Sequence, residues 1–363
     1  MKIAFYVFVA YALGGVLYYP SQYSLFSFVF ILVSSLPLLF AENLSKYKSY
    51  SNYRQVNPII FFVILFLGII NIKIIVNNVG HSFFDIFSLS GIKSIAVEST
   101  TRRYESNSVT HSGNPIILAL SLWLVYRAGT QDTKTKGIYT ILAFIPILMY
   151  TILTTEKWPS FLAGIFFVTG LVISNDNKML FDILKGKVKY VFLFMLLMLL
   201  ALFFRGFEGG VLKAIRLLFH YLFAQYNSFG YWYFKVYDYN LSLGKLTFIG
   251  PLDYIGVVSR SAGVFAQSLY YYGEPTNIYT AFRYIVEDFS ILAPLVFNSI
   301  FAILYVLFNH AKSRLISLVL VFMLFCAFLS TSTTPFVHNS VMLGIVFVIW
   351  SDLICERKWI PKI

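Results

Sequence analysis

Acidic and basic side chains whose types and spacing suit chemistry occur together in one segment, YYGEPTNIYTAFRYIVEDF, at residues 271–289. Asp and Glu supply only 16 of the 363 residues, yet Glu274, Glu287 and Asp288 all lie here with Arg283. A carboxylate can take a proton from a hydroxyl group, and a guanidinium group can bind phosphate oxygens in bidentate fashion. The segment is therefore either a catalytic and anion-binding site or a charged surface at a membrane edge.

The spacing within this segment predicts where a helix begins. Pro275 and Thr276 disfavour a helix at its start, whereas the pattern from Tyr279 onward is helical. Arg283 and Glu287 stand at i and i+4 on one helix face, so we expect them to form an ion pair. Exposed pairs of this kind are common and weak, so the spacing alone leaves both interpretations open.

The composition indicates a membrane protein. The chain is 58% hydrophobic, 19% aromatic and 12% charged, whereas a soluble domain carries roughly 25% charged residues. Uncharged apolar runs of about 16–20 residues recur along it, and each can cross a bilayer. We predict an all-α polytopic membrane protein with about ten transmembrane helices, forming a single transmembrane domain over 1–363. The expected spans are 3–19, 24–40, 58–77, 114–128, 137–154, 159–174, 190–204, 289–308, 315–333 and 340–354.

Lys and Arg residues cluster in alternate connections between these spans. The basic connections are 41–57, 127–136, 175–189, 309–314 and the C-terminal tail. Placing them in the cytoplasm obeys the positive-inside rule and leaves both termini there. This topology explains the net charge of +12 without a nucleic-acid partner. It also places two long loops outside: 79–113, a mobile lid or a solvated loop, and 205–288, the large loop expected to carry any active site.

The large loop contains a predicted interfacial helix over 211–226. Its Lys213, Arg216 and His220 stand at i, i+3 and i+7 and form one basic stripe, while apolar residues cover the rest. Such a helix either offers the stripe to lipid phosphate or snorkels at the bilayer surface without a ligand. The aromatic residues of 227–248 are suited both to stacking on sugar rings and to filling the membrane interface.

Four further ionisable residues fall on the predicted outer side. Lys157 lies in a short turn between two spans, where it either reaches a phosphate or snorkels. His338 lies between the last two spans and is either catalytic or solvated, and Arg205 and Arg260 add cations within the large loop. Phosphate-loop, HExxH, GxSxG and CxxC motifs are absent and the five histidines lack metal-ligand spacing, so neither a metal nor a cofactor is expected.

The segment GEPTNIYTAFRYIVEDF resembles the hallmark of bacterial oligosaccharide repeat-unit polymerases, the Wzy-type O-antigen polymerase family. The matching residues are Gly273, Glu274, Pro275, Thr276, Asn277, Tyr279, Thr280, Arg283, Glu287, Asp288 and Phe289. GKLTF at 244–248 resembles a second feature of that family. One departure is that many members carry Gly-Ser-Arg in the turn before the sixth helix. Lys157 of this chain would there replace the arginine as a point charge rather than a planar fork.

The resemblance implies a GT-C-like, metal-independent glycosyltransferase of polysaccharide biosynthesis in the bacterial inner membrane, as in O-antigen assembly for lipopolysaccharide. It would move the growing glycan from undecaprenyl pyrophosphate onto a new lipid-linked repeat unit at the periplasmic face. Its partners would be the undecaprenyl-pyrophosphate-linked oligosaccharide, the lipid bilayer and a membrane protein that regulates chain length.

Residue roles follow from the same resemblance together with side-chain chemistry. The catalytic candidates are Glu274, Arg283, Asp288 and Glu287, with Glu274 as the first choice of base. The candidates for binding pyrophosphate or sugar are Arg260, Arg205, Lys157, Arg216, Asn277, Tyr279 and His338. Two other functions stay open: an O-antigen ligase, which shares this chemistry, and a lipid-linked oligosaccharide flippase or transporter, which would place charges in the middle of its spans.

Overall fold

A computed structural model describes residues 1–44, 57–105, 113–130, 136–154, 156, 158–174, 210–259, 269–272, 274–276, 280–311, 315–331 and 333–354. These residues fold almost entirely into helices. The helices are α1 Lys2–Tyr18, α2 Gln22–Leu44, α3 Pro58–Asn78, α4 Leu89–Glu105, α5 Pro115–Thr130, α6 Lys136–Thr154, α7 Trp158–Ser174, α8 Gly210–Lys235, α9 Ile249–Tyr254, α10 Ala281–Phe289, α11 Ala293–His310, α12 Leu315–Leu329 and α13 Asn339–Ile354. The other elements are a 3₁₀ helix, Phe83–Phe87, and a hairpin of strands β1, Leu269–Tyr271, and β2, Glu274–Thr276.

The long apolar helices match the predicted membrane character. Those long and apolar enough to cross a bilayer are Gln22–Ala41, Pro58–Asn78, Gly137–Thr154 and Ala293–His310. Shorter apolar helices are Lys2–Tyr18, Pro115–Thr130, Trp158–Ile173, Leu318–Leu329 and Asn339–Ser351. Every predicted span coincides with one of these helices except 190–204, which lies outside the described residues. The prediction of an all-α membrane protein is therefore confirmed, while the number of spans and the GT-C-like arrangement stay predictions.

Local sequence signals fix the start of α3. At the start of α3, the Asn57 side chain accepts a hydrogen bond from the Ile59 backbone N–H at 2.9 Å, and Pro58 occupies the first turn. Both features satisfy or remove N–H groups that a helix start leaves without partners. The helix therefore begins where the polar connection ends and the apolar run starts.

The chain divides into two compact units, so the single-domain arrangement stays a prediction. The first unit comprises Met1–Tyr47 and Ile215–Asn339, and the second comprises Lys48–Ala214 and Ser340–Ile363. In the first unit, α8 packs closely against the α1–α2 pair. A Cβ added at Gly230 would lie 2.2 Å from the Tyr23 carbonyl oxygen, so the approach of α8 to α2 requires glycine there.

Helix α8 confirms the predicted helix over 211–226 and continues to Lys235. Its basic stripe is shorter than predicted, because His220 is completely buried and a 3.1 Å hydrogen bond joins its Nδ1 to the Tyr18 hydroxyl. Arg216 is exposed. The stripe fails at His220 because α8 packs on protein along this edge instead of facing only water and lipid.

The second unit shows that 79–113 is not simply a solvated loop. This segment contains the 3₁₀ helix and α4, and Ile95 of α4 is buried against α3 and α6 residues, including Ile75 and Leu153. The Asn71 side chain also accepts a hydrogen bond from the Asn114 backbone N–H at 2.7 Å, which ties the end of the segment to α3. Packing of this kind fixes α4 in the unit's core.

Candidate active site around helix α10

The first unit contains the acidic segment identified in the sequence. Its first half forms the β1–β2 hairpin, in which Tyr271 pairs with Glu274 across the turn. Tyr272 adopts a left-handed backbone conformation with φ of 52°, as residues of tight hairpin turns do. Pro275 and Thr276 lie in β2, so the prediction that they are not helical is confirmed, and α10 starts at Ala281, two residues later than Tyr279.

The hairpin is anchored to α1 and α8 by side-chain hydrogen bonds. The Tyr272 hydroxyl donates to the Tyr18 carbonyl oxygen at 2.9 Å, and the Ser228 hydroxyl donates to the Tyr271 hydroxyl at 3.2 Å. The Arg216 guanidinium carbon lies 5.6 Å from the centroid of the Tyr272 ring. The structure thus brings exposed Arg216 beside the start of the acidic segment.

Helix α10 carries the predicted ion pair. The Arg283 Nε lies 3.1 Å from Glu287 Oε2, and the two side chains are 7% and 24% exposed. The Arg283 guanidinium carbon also lies 4.8 Å from the centroid of the Trp232 ring on α8. The pair is confirmed, and it differs from an ordinary surface pair because protein shields it from water and an aromatic face supports the cation.

Two opposing effects act on the Glu287 carboxyl. Burial raises its pKa, the neighbouring Arg283 lowers it, and the balance leaves the pKa above its usual value. A carboxylate whose pKa is moved toward neutral pH is a better proton acceptor than an ordinary surface glutamate. Because Glu287 keeps some exposure, it can also reach a substrate hydroxyl group.

Asp288 has a different environment. It is fully buried, and its carboxylate accepts hydrogen bonds from the backbone N–H groups of Leu246 at 3.2 Å and Thr247 at 2.5 Å. The backbone carbonyls of Glu287 and Asp288 accept further hydrogen bonds from the N–H groups of Ser242 and Leu243. The end of α10 therefore holds the 242–248 loop, which contains the GKLTF stretch, by its backbone.

The turn between α12 and α13 completes this assembly. The Ala281 N–H donates to the Ser330 carbonyl oxygen at 3.0 Å, and the Thr334 hydroxyl donates to the Thr247 carbonyl oxygen at 2.9 Å. His338 is partly buried in this turn. Helix α10, which carries Arg283, Glu287 and Asp288, thus contacts two distant segments, and His338 lies on one of them.

The other predicted residues cannot be placed in this site. Lys157, Arg205, Arg260, Asn277 and Tyr279 lie outside the described residues. Glu274 is described by its backbone, as the β2 residue opposite Tyr271.

Sequence reasoning missed Trp232 and Tyr237 as parts of this site. Trp232 supports Arg283, and the Tyr237 hydroxyl donates to the Val286 carbonyl oxygen of α10 at 3.3 Å. The available signal was the high density of aromatic residues in 227–248, which does not predict which ring contacts which charged group.

Among the described residues, no group of three or more His, Cys, Asp or Glu side chains could hold a metal ion. Comparison of the chain with protein-family models, curated proteins and solved structures found no match.

Proposed function

We propose that this protein is a polysaccharide polymerase of the O-antigen type: a metal-independent membrane glycosyltransferase that extends a glycan carried on undecaprenyl pyrophosphate. The observation that carries the proposal is the Arg283–Glu287 pair, a partly exposed carboxylate with a raised pKa held by a buried guanidinium group. The pair lies just before α11, a helix able to cross a membrane. The same residues carry the resemblance to repeat-unit polymerases.

The chemistry assigns different tasks to the two charges. Glu287 takes the proton of an acceptor sugar hydroxyl, whose oxygen attacks the anomeric carbon of the donor glycan. The bond from that carbon to the diphosphate breaks, and undecaprenyl pyrophosphate leaves with the electron pair. Arg283 keeps Glu287 ionised and oriented, because its own side chain is largely buried between Glu287 and Trp232. Glu287 is therefore the base in this proposal.

Arg216 is exposed beside Tyr272 and has the planar donor fork that suits phosphate oxygens. It lies sixteen residues before Trp232 on α8, about 24 Å along the helix, so it is proposed to bind a lipid phosphate away from the reacting carbon. Arg205, Arg260 and Lys157 are proposed to stabilise the leaving diphosphate, and Asn277, Tyr279 and His338 to contact the sugar. Removal of a preorganised donor to such charge typically lowers the rate by about 10²–10³.

The proposal includes an orientation in the membrane. Both termini lie in the cytoplasm, about ten helices in a GT-C-like arrangement cross the bacterial inner membrane, and α10 faces the periplasm. A separate membrane protein regulates the length of the product. The distribution of Lys and Arg among the connections supports this orientation.

The test is complementation of a strain from which the gene for this chain is deleted. Glu287→Gln and Arg283→Ala should yield surface glycans with a single repeat unit at normal protein levels. The matched control is Asp85→Asn, which breaks another i, i+4 pair, with His81, and should leave polymer length unchanged. Full-length polymer from both α10 variants would reject the proposal, and polymer retained on undecaprenyl pyrophosphate in the deletion strain would identify a ligase instead.

A further inference from the structure

The segment that follows α8, Tyr237–Asp238–Tyr239–Asn240, places a solvent-exposed aromatic ring beside two polar side chains. Asp238, Tyr239 and Asn240 are exposed, and Tyr239 has 70% of its surface open. From this arrangement we propose that Tyr239, Asp238 and Asn240 form a sugar-binding subsite that holds the acceptor end of the repeat unit beside Glu287. The inference rests on the proposed function and adds the place where the acceptor sugar binds.

The ring of Tyr239 is held in place rather than free. Its centroid lies 4.7 Å from that of Tyr237, and its hydroxyl group is close enough to that of Tyr233 to add to the effect of burial in raising the Tyr233 pKa. Tyr237 is itself fixed by its 4.8 Å ring contact with Trp232 and by its hydrogen bond to α10. An aromatic face fixed before binding loses little conformational entropy when an apolar sugar face stacks on it.

The exposed Tyr239 has an unfavourable backbone conformation. Its φ is 63°, in the left-handed region that residues with bulky side chains rarely adopt. In this conformation Asp238 and Asn240 come together on one edge: Asn240 donates to the Asp238 carboxylate from its backbone N–H at 3.1 Å and from its side-chain amide at 2.8 Å.

These two side chains supply the hydrogen-bonding groups that a sugar needs. The Asp238 carboxylate oxygens have lone pairs beyond those used by Asn240, and the Asn240 side chain keeps a second N–H and its carbonyl oxygen for other partners. Hydrogen bonding to Asn240 lowers the pKa of Asp238, so the group stays a charged acceptor. Adjacent hydroxyl groups of a sugar match this alternation of acceptor and donor.

The charge of this surface selects sugar over diphosphate. The Asp238 carboxylate is close enough to Glu287 to contribute, after burial, to the raised pKa of Glu287, and burial together with the charge of Glu287 in turn raises the pKa of Tyr237. Two carboxylates repel a pyrophosphate group but accept hydrogen bonds from hydroxyl groups. The subsite therefore lies on the acceptor side of Glu287, where a hydroxyl group must give up its proton.

The first experiment measures binding with the full-length protein in lipid nanodiscs. Methyl glycosides of glucose, galactose, mannose and N-acetylglucosamine are the probes, observed by saturation-transfer NMR. We expect signals from at least one probe, and about tenfold weaker binding by Tyr239→Ala and Asp238→Asn. Tyr254→Ala is the matched control, since Tyr254 is 83% exposed in the same unit outside the subsite. Binding should be unchanged in that variant.

In the binding experiment, two results would overturn the subsite: no signal from any probe with the unmodified protein, or equal binding by Tyr239→Ala. A nitroxide label on Tyr239→Cys, with Cys326 and Cys355 replaced by alanine, tests membrane burial as the competing explanation. Relaxation by a water-soluble nickel complex is expected, whereas relaxation mainly by oxygen dissolved in acyl chains would place position 239 in lipid and also refute the proposal. Sugar binding without any polymerase activity would contradict the proposed function alone.

Discussion

Glu287 combines burial, which raises its pKa, with a guanidinium neighbour that opposes the rise. A base acts in its ionised form, so the polymerisation rate should fall as the pH drops through this raised pKa. In the proposed reaction Arg283 sets the acidic limit of activity while Trp232 supports the cation. The proposed proton transfer to Glu287 therefore depends on two side chains that need not touch the substrate.

Arg283→Gln tests this dependence. Loss of the cation removes the effect that lowers the Glu287 pKa, so burial and the neighbouring carboxylates act unopposed and the pKa rises further. The acidic limb of the pH–rate profile, measured with lipid-linked repeat units and purified protein, should move to higher pH. Arg216→Gln should lower the rate without moving that limb. If the acidic limb does not move in Arg283→Gln, Arg283 does not set the pKa of Glu287.

Helix α10 and the 242–248 loop form one element because the Asp288 carboxylate binds two N–H groups of the loop. Hydrogen bonds to a charged group contribute about 1.5–3 kcal/mol each. The loop also contacts the turn after α12 through Thr334 and Thr247. Asp288 is therefore better suited to positioning the site than to removing a proton.

In Asp288→Asn the side-chain amide keeps one acceptor oxygen, but its NH₂ group faces the second backbone N–H of the loop. One of the two hydrogen bonds is therefore lost, and the loop should loosen. Amide hydrogen exchange in a peptide spanning 242–248 should accelerate by about 10–100-fold. Asp253→Asn, at the exposed end of α9, is the control and should leave that peptide unchanged. Equal exchange in Asp288→Asn and the unmodified protein would contradict the positioning role.

Gly230→Ala tests the packing of α8 on α2. The added Cβ would meet the Tyr23 carbonyl oxygen at 2.2 Å, and neither backbone can yield easily. Overpacking of this kind costs about 1–3 kcal/mol, so the melting temperature in detergent should fall. Gly137→Ala is the matched control, because nothing lies within 4 Å of its Cβ position. If both variants have the same melting temperature, the close approach of α8 to α2 does not contribute to stability.

At the scale of the whole molecule, the orientation proposed from the positive-inside rule places α10 outside. Tyr254, the last residue of α9, and Ala311, which follows α11, are exposed, and the proposed topology assigns these two residues to opposite sides. They therefore report orientation without disturbing a buried contact. The same orientation is required for a lipid-linked glycan to reach Glu287.

Single-cysteine variants test the orientation, with Cys326 and Cys355 replaced by alanine. In intact spheroplasts a membrane-impermeant maleimide should label Tyr254→Cys, whereas Ala311→Cys should be labelled after permeabilisation only. The reverse pattern would place the candidate site in the cytoplasm and exclude the proposed reaction with an outer-face substrate.

The sequence by itself determined the long apolar helices of the described residues and the Arg283–Glu287 pair. Apolar runs in a bilayer must satisfy their backbone hydrogen bonds internally, and residues at i and i+4 meet through local helix geometry. Only the tertiary structure decided that Trp232 supports Arg283, that Asp288 holds the 242–248 loop and that His220 is buried. The Asp288 contact with Thr247 joins residues 41 positions apart, and the Tyr18–His220 contact joins residues 202 apart. Local periodicity carries no information about such pairs, because they arise only when separate elements pack together.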